Sequence, residues 1–332
     1  MRIQDLPTPA LVVEHSVLQG NLAAMAEARP GAALRPHVKA HKTTALAHLQ
    51  QQAGHPGFTC ATIREVEGMA AAGLGQDLLL ANEVLDARRL GRLVADGVRV
   101  TLAVDSEITV RAAADGGLRE VVVDVNVGLP RCGAPAEEAG RLAAMARSMK
   151  MSVRGVMGYE GHVMLESPEE KRRQTQECMA VLLQAAADVG GELISAGGTG
   201  NYAVNTWATE IQAGSYVLMD TTYAAQGLPF GQALTVLATV ISTNSQGWAV
   251  ADLGLKSLGM DHGNPTVPGA AVWFCSDEHT TFSAEEGHRF AVGDRIRAHP
   301  AHIDPTVAMH ERMYLVDGED VLETWPVDLR GW

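Results

Sequence analysis

The sequence predicts an α/β protein, a (β/α)8 barrel of the TIM type followed by a mainly β C-terminal domain. Three observations predict it. Short β-branched runs alternate with stretches of helical periodicity, at intervals of roughly 20–40 residues, as in parallel-sheet proteins. About eight such runs precede residue 226, and eight is the number that closes a barrel. Beyond that point helical periodicity fades and strand-like runs dominate. A doubly wound open sheet is the alternative arrangement of the same alternation.

The first β-branched run, Ala10-Leu11-Val12-Val13-Glu14, precedes the eight. Residues 1–14 are therefore assigned to a strand that packs with the β domain. The eight candidate barrel strands begin near Leu34, Gly57, Asp77, Val98, Glu120, Ser152, Glu192 and Gly214, within a barrel spanning 15–225. Most lead into a helical stretch. After Leu165, Ser167 can cap a helix, Pro168 suits its first position, and Glu170 completes a capping-box spacing. In the C-terminal domain, 226–332, strands are predicted over 234–243, 248–252, 270–275 and 294–298. Strands over 312–316 and 321–325 flank Asp317-Gly318, a hairpin signal.

Composition narrows the class. The 332 residues are 46% hydrophobic and 20% charged, an ordinary globular balance. No apolar run reaches the roughly 18 residues of a membrane span. The N-terminus lacks the basic start and apolar stretch of a secretory leader. A net charge of −13 disfavours nucleic acid as a partner, though it leaves room for a local phosphate pocket. The four cysteines form no C-x-x-C pair, and reduced thiols in a cytoplasm are the simplest reading.

Three motifs could carry chemistry. Lys39, in Arg35-Pro36-His37-Val38-Lys39-Ala40-His41-Lys42, falls at the predicted C-terminal end of the first barrel strand, where such barrels carry their active sites. A lysine there can form an imine with a carbonyl cofactor, and Arg35, His37 and Lys42 supply local positive charge that favours its neutral form. On spacing alone the run also reads as a solvated basic loop. Gly197-Gly198-Thr199-Gly200 follows the seventh strand. Its glycines allow close approach to an anion and offer free N–H groups, and Thr199 adds a hydroxyl. Gly214, Ser215 and Tyr216 offer similar groups one strand later, the usual barrel position for phosphate. A plain glycine-rich turn is the alternative.

The third motif is His302-Ile303-Asp304-Pro305. Pro305 biases Asp304 toward extended backbone, which would point His302 and Asp304 to one side as a metal pair. A surface loop with two unrelated polar residues is the alternative. His162, in Tyr159-Glu160-Gly161-His162, could serve as acid or base, or be a structural histidine. Arg131, with Asp124 and Asn126 near the fifth strand, could support a cofactor. Asp261-His262 and Glu278-His279 are weaker candidates.

Together these segments resemble the D-threonine aldolase and D-serine dehydratase-like enzymes, pyridoxal 5'-phosphate (PLP) proteins of alanine racemase-like fold. The resemblance runs from Asp5-Leu6-Pro7-Thr8-Pro9 through Arg35-Pro36-His37-Val38-Lys39, Tyr159-Glu160-Gly161-His162, Gly197-Gly198-Thr199-Gly200 and Gly214-Ser215-Tyr216 to His302-x-Asp304-Pro305-Thr306. It implies that Lys39, rather than Lys42, forms the Schiff base with PLP. It also implies that Gly197, Gly198 and Thr199 take the phosphate, with Arg131, Tyr159, Gly214, Ser215 and Tyr216 as further cofactor contacts. His302 and Asp304 would hold a divalent metal, Mn2+ first, with Mg2+, Zn2+ or Co2+ as alternatives.

Family members with His-x-Asp resemble aldolases, while His-x-Cys accompanies dehydration. The resemblance therefore implies cleavage of D-β-hydroxy-α-amino acids to glycine and an aldehyde, by a homodimer acting on a small molecule. Dehydration of D-serine or 3-hydroxyaspartate is the first alternative, and PLP binding without turnover the second.

Overall fold

The computed structural model describes residues 1–332. The chain divides into two compact units. One comprises Met1–Ala24, Ala40–Ala45 and Ser215–Asp328, and the other Met25–Lys39, Leu46–Gly214 and Leu329–Trp332.

Strand β1 (Ala10–Glu14) belongs to the first unit, where it pairs with strands from the far end of the sequence. The second unit is built on a parallel sheet. Its strands are β2 (Phe58–Cys60), β3 (Leu78–Leu80), β4 (Val100–Val104), β5 (Glu120–Asp124), β6 (Ser152–Met157), β7 (Leu193–Ala196) and β8 (Glu210–Ile211), adjacent in that order. These are near-continuous apolar runs, Leu78-Leu79-Leu80 and Val121-Val122-Val123 among them, fully buried as parallel strands should be. The crossover helices are amphipathic and bury one stripe each. Leu142, Ala143 and Ala146 of helix Ala136–Ser148 and Cys178, Leu182 and Ala185 of helix Pro168–Val189 join the core that covers the sheet. Helix Pro168–Val189 starts as its sequence requires: Ser167 accepts a bond from the Glu170 N–H and Pro168 takes the first position.

Two elements differ from expectation. The first predicted barrel strand, near Leu34, has no ladder. Its residues make isolated bridges, Leu34 to Ile211 and His37 to Thr59. Arg35 and His37 donate their N–H groups to Ile211 and Ala213, while Pro36 contributes only its carbonyl, to Thr59. Pro36 has no N–H to extend a ladder, and three-residue turns at Gly31–Ala33 and Val38–Ala40 clip both ends. The sheet thus has seven laddered strands rather than eight. The eighth predicted strand forms at Glu210–Ile211, ahead of Gly214, and Ser215–Val217 is a 3-10 turn.

The first unit carries an eight-stranded sheet. Following β1 in the chain are β9 (Leu234–Thr243), β10 (Trp248–Ala251), β11 (Ala270–Cys275), β12 (Thr280–Ala284), β13 (Arg295–Ala298), β14 (Arg312–Asp317) and β15 (Asp320–Pro326). Strand β1 lies between β9 and β14, antiparallel to the first and parallel to the second. The hairpin of β14 and β15 turns at Gly318, where φ is +57°. Strand β12 escaped sequence reading because Thr280-Thr281-Phe282-Ser283-Ala284 holds little apolar character beyond Phe282. A helix, Ile303–Met309, occupies the stretch read as extended; Pro305 falls in its first turn, where no intrahelical N–H is required.

Candidate functional site

In the second unit, the chemistry-bearing residues follow the C-terminal ends of the parallel strands. Glu83 comes after β3, Asp105 after β4, Asp124 at the end of β5, Tyr159 and Glu160 after β6, and the glycine loop after β7. Lys39 follows segment 34–37 in the same sense. It sits in the 3-10 turn Val38–Ala40, half-buried, and its N–H lies 3.4 Å from His37 Nδ1. Arg35, expected to lend it positive charge, does not. The Arg35 guanidinium is buried and donates to Glu210 at 2.7 Å and to Asp77 at 2.9 Å, so its charge is neutralised locally. In the first unit, Lys42 adopts φ +46°, a left-handed conformation that costs a side-chain-bearing residue roughly 1 kcal/mol.

The glycine loop is preformed by a residue that sequence reading passed over. Glu160 is fully buried and accepts from the Gly197 N–H at 3.0 Å, Asn201 Nδ2 at 2.7 Å and Asn205 Nδ2 at 2.8 Å. Asn201 Oδ1 accepts the Gly198 N–H at 3.0 Å. The two amides expected to be free for an anion are therefore bonded to side chains, because a buried carboxylate and amide need donors. Glycine remains obligatory for steric reasons: a Cβ on Gly200 would lie 2.4 Å from the Met164 carbonyl. Gly198 faces the Tyr159 ring edge and Met164 Sδ at ordinary contact distance, and Thr199 is buried beside it.

Arg131 and Tyr159 do come together, with the guanidinium carbon 5.2 Å from the ring centroid. Asn126 shapes this corner, donating to the Leu129 carbonyl at 2.9 Å and accepting the Gly128 N–H at 2.9 Å. A small cavity there is lined by Asp124, Asn126, Leu129, Arg131, Cys132 and Tyr159. Burial pushes the Asp124 carboxyl well above the usual carboxylate range, and the neighbouring charge of Glu83, with which it shares a hydrogen bond, pushes it further. Burial and Glu83 likewise push the Cys132 thiol up to about 11. His162 is exposed, its Nε2 3.8 Å from Cys178 Sγ and its ring beside Gly128. No disulfide forms among the four cysteines.

In the first unit, His302 is the extended residue that precedes helix Ile303–Met309, and Asp304 lies in that helix's first turn. His302 Nδ1 is 2.7 Å from Asp261 Oδ2, and the His262 ring stacks on His302 at 4.1 Å, nearly parallel. Asp261, His262 and His302 bring one ligand atom each within 4.8 Å of one another. The weak sequence candidate Asp261-His262 is thus joined to His302 across the chain. Asp220 caps the same helix from outside, accepting the Ile303 N–H at 3.1 Å, and burial raises its carboxyl. Tyr216, also of this unit, is fully buried with its ring centroid 5.7 Å from that of Phe230. No helix is long and apolar enough to cross a membrane.

A lysine after the first parallel segment, a preformed glycine loop after β7 and a separate β unit are the parts of an alanine racemase-like fold. Residues 13–222 match the family described as "Alanine racemase, N-terminal domain", and residues 233–316 match "Putative serine dehydratase domain". The chain belongs to this family of alanine racemase-like, PLP-dependent enzymes. It is similar to a D-threonine aldolase of Arthrobacter sp (33% identity, 98% of this chain and 93% of the relative). It is also similar to a 3-hydroxy-D-aspartate aldolase of Paracoccus denitrificans (strain Pd 1222), at 30% identity over 98% and 93% of the two chains. Among solved structures, D-threonine aldolase from Filomicrobium marinum superposes with a TM-score of 0.94 at 32% identity, over 100% of this chain and 98% of that one.

Proposed function

We propose that this chain is a PLP- and divalent-metal-dependent aldolase that cleaves D-β-hydroxy-α-amino acids of the D-threonine type to glycine and an aldehyde. The choice of aldolase rests on the residue type at Asp304, two positions after His302 and in the first turn of helix Ile303–Met309, since a carboxylate oxygen together with an imidazole suits a hard divalent cation such as Mn2+. The two named aldolase relatives support the same substrate class. When bound, PLP supplies an electron sink for the substrate's α-carbon and the metal acidifies its β-hydroxyl.

The chain's residues divide the remaining work. Lys39 supplies the amine that holds PLP and can return a proton to the α-carbon. The loop at Gly197, Gly198 and Thr199, held by Glu160 through the Gly197 N–H, would receive the phosphate. Arg131 and Tyr159, already paired, would support the cofactor. His162 takes the β-hydroxyl proton. Asp261, on His302 Nδ1, fixes the ring so that Nε2 is left for the metal. Asp261→Asn should weaken Mn2+ binding by about 10–100-fold, read by calorimetric titration.

Segment 34–37, bonded to both β8 and the residues of β2, supports reading the sheet as a closed barrel. We further infer a cytoplasmic homodimer; four free thiols support the reducing compartment. Incubating protein, PLP and Mn2+ with D-threonine and a panel of related D-amino acids should give glycine and the matching aldehyde. A panel that gives no glycine overturns the proposal. The second reading is dehydration, favoured by the match to a putative serine dehydratase domain over the stretch holding His302 and Asp304. Pyruvate or oxaloacetate with ammonia would establish it.

A further inference from the structure

Segment 34–37 carries Lys39, yet only three backbone bonds tie it to its neighbours: Arg35 to Ile211 at 2.9 Å, His37 to Ala213 at 3.1 Å and Thr59 to Pro36 at 2.9 Å. What fixes it more firmly is a side chain. Arg35 Nε donates to Glu210 Oε1 at 2.7 Å, Nη2 to Asp77 Oδ2 at 2.9 Å and Nη1 to the Asp77 carbonyl at 3.0 Å. The guanidinium therefore reaches the first residue of β8 on one side and the residue before β3, beyond β2, on the other.

Both acceptors are themselves held. Glu210 Oε1 also accepts from Ser195 Oγ at 2.6 Å, and Asp77 accepts from Arg154 at 2.6 and 3.1 Å. Arg35 is 5% exposed, Glu210 4%, Arg154 9% and Asp77 18%, so the fork is largely shielded from water. Space has been cleared for it: a Cβ on Gly57 would lie 2.6 Å from Arg35 Nη1. In extended backbone Arg35 and His37 point to the same side, and His37 Nδ1 lies against the Lys39 N–H. The clasp and the lysine thus lie four positions apart on one segment.

We propose that Arg35 is the positioning residue of Lys39: its buried fork on Glu210 and Asp77 sets the height at which Lys39 presents its amine at the C-terminal end of the sheet. The proposal rests on the reading of Lys39 as the PLP lysine only for its consequence in catalysis, because the positioning itself can be measured without cofactor. Arg35→Lys keeps the charge and loses the planar fork. Arg35→Met/Glu210→Gln removes the clasp without leaving Glu210 as an unpaired buried carboxylate.

Hydrogen exchange of both proteins, without cofactor, should show the amides of Arg35 and of His37 to Lys39 exchanging at least about tenfold faster, while β4 and β5 keep wild-type protection. With PLP added, the near-visible absorption should titrate at a shifted pH and saturate at about tenfold higher PLP. Unchanged exchange over 35–39, or loss spread evenly over the sheet, would overturn the proposal, since a merely stabilising salt bridge acts on the whole unit. A wild-type protein that stays colourless with PLP would overturn the Lys39 reading instead, and the exchange result would still decide the role of Arg35.

Discussion

The two ends of the parallel sheet handle charge in opposite ways. At the end where the strands begin, Arg35, Arg99 and Arg154 meet Asp77, Glu120 and Glu210, each guanidinium on a carboxylate. At the end where they finish, Glu83, Asp105 and Asp124 crowd together, while Arg131 lies over the Tyr159 ring. The first arrangement satisfies buried charge and fixes the geometry of its members. The second leaves surplus negative charge, and burial together with Glu83 pushes the Asp124 carboxyl well above the usual carboxylate range. Perturbed groups of this kind cluster where chemistry is done, whereas matched networks hold structure. Under the proposed function, the contrast puts reaction at one end and architecture at the other.

The strongest way to break this contrast is at Lys39. Lys39→Ala should abolish the near-visible absorption of PLP-loaded protein and lower turnover on the order of a thousandfold or more, with little change in melting temperature. A variant that keeps both its colour and its activity would remove the functional end from the sheet. Next in size is Glu160→Ala, which strands the Gly197 amide and the Asn201 and Asn205 side-chain donors in the interior. It should cost about 3 kcal/mol in urea unfolding and at least about tenfold in PLP affinity. Loss of stability with intact affinity would mean that the loop is structural only.

At the opposite end the signature is acid lability. Burial alone would raise the Asp77 carboxyl, but hydrogen bonds from Arg154 and Arg35 overcome it and hold the group down to about 2. A carboxylate depressed in the folded state contributes stability that is complete above its unfolded value near 4 and is lost as pH falls through about 2. The depression amounts to about 2 kcal/mol. Asp77→Asn should therefore lower the melting temperature at neutral pH and flatten its decline between pH 4 and 2. A wild-type-like acid limb in this variant would deny the network its role.

How much of this was legible beforehand depends on sequence separation. The Ser167 cap and the Asp317-Gly318 hairpin are local patterns, and each appears where its residues imply. Arg35 was misjudged because its partners Asp77 and Glu210 stand 42 and 175 residues away, so nothing adjacent reveals that its charge is spent. Glu160 sat inside a motif already noted, but its donors Gly197, Asn201 and Asn205 come from 37 to 45 residues downstream. Asp304 was expected to be extended and instead lies in a helix, since a proline in the first turn of a helix resembles a proline that ends one. The Asp261 contact to His302, 41 residues apart, has no local signal at all.

The smallest effect tests the sign of the contrast. Asp124 is raised, first by burial and then by Glu83, so the folded protein holds a proton that the unfolded chain releases near pH 4. Its contribution is complete below that value and declines as pH rises toward the folded value, opposite to Asp77. Glu83→Gln removes the neighbouring charge but keeps a hydrogen-bonding side chain, so ionised Asp124 becomes less costly. The variant should be more stable than wild type above pH 4 by less than about 1 kcal/mol, and equal to it at lower pH. Melting curves across that range decide the matter. A variant destabilised at neutral pH would mean that Glu83 binds Asp124 more than it repels it, and the two ends of the sheet would then follow one rule.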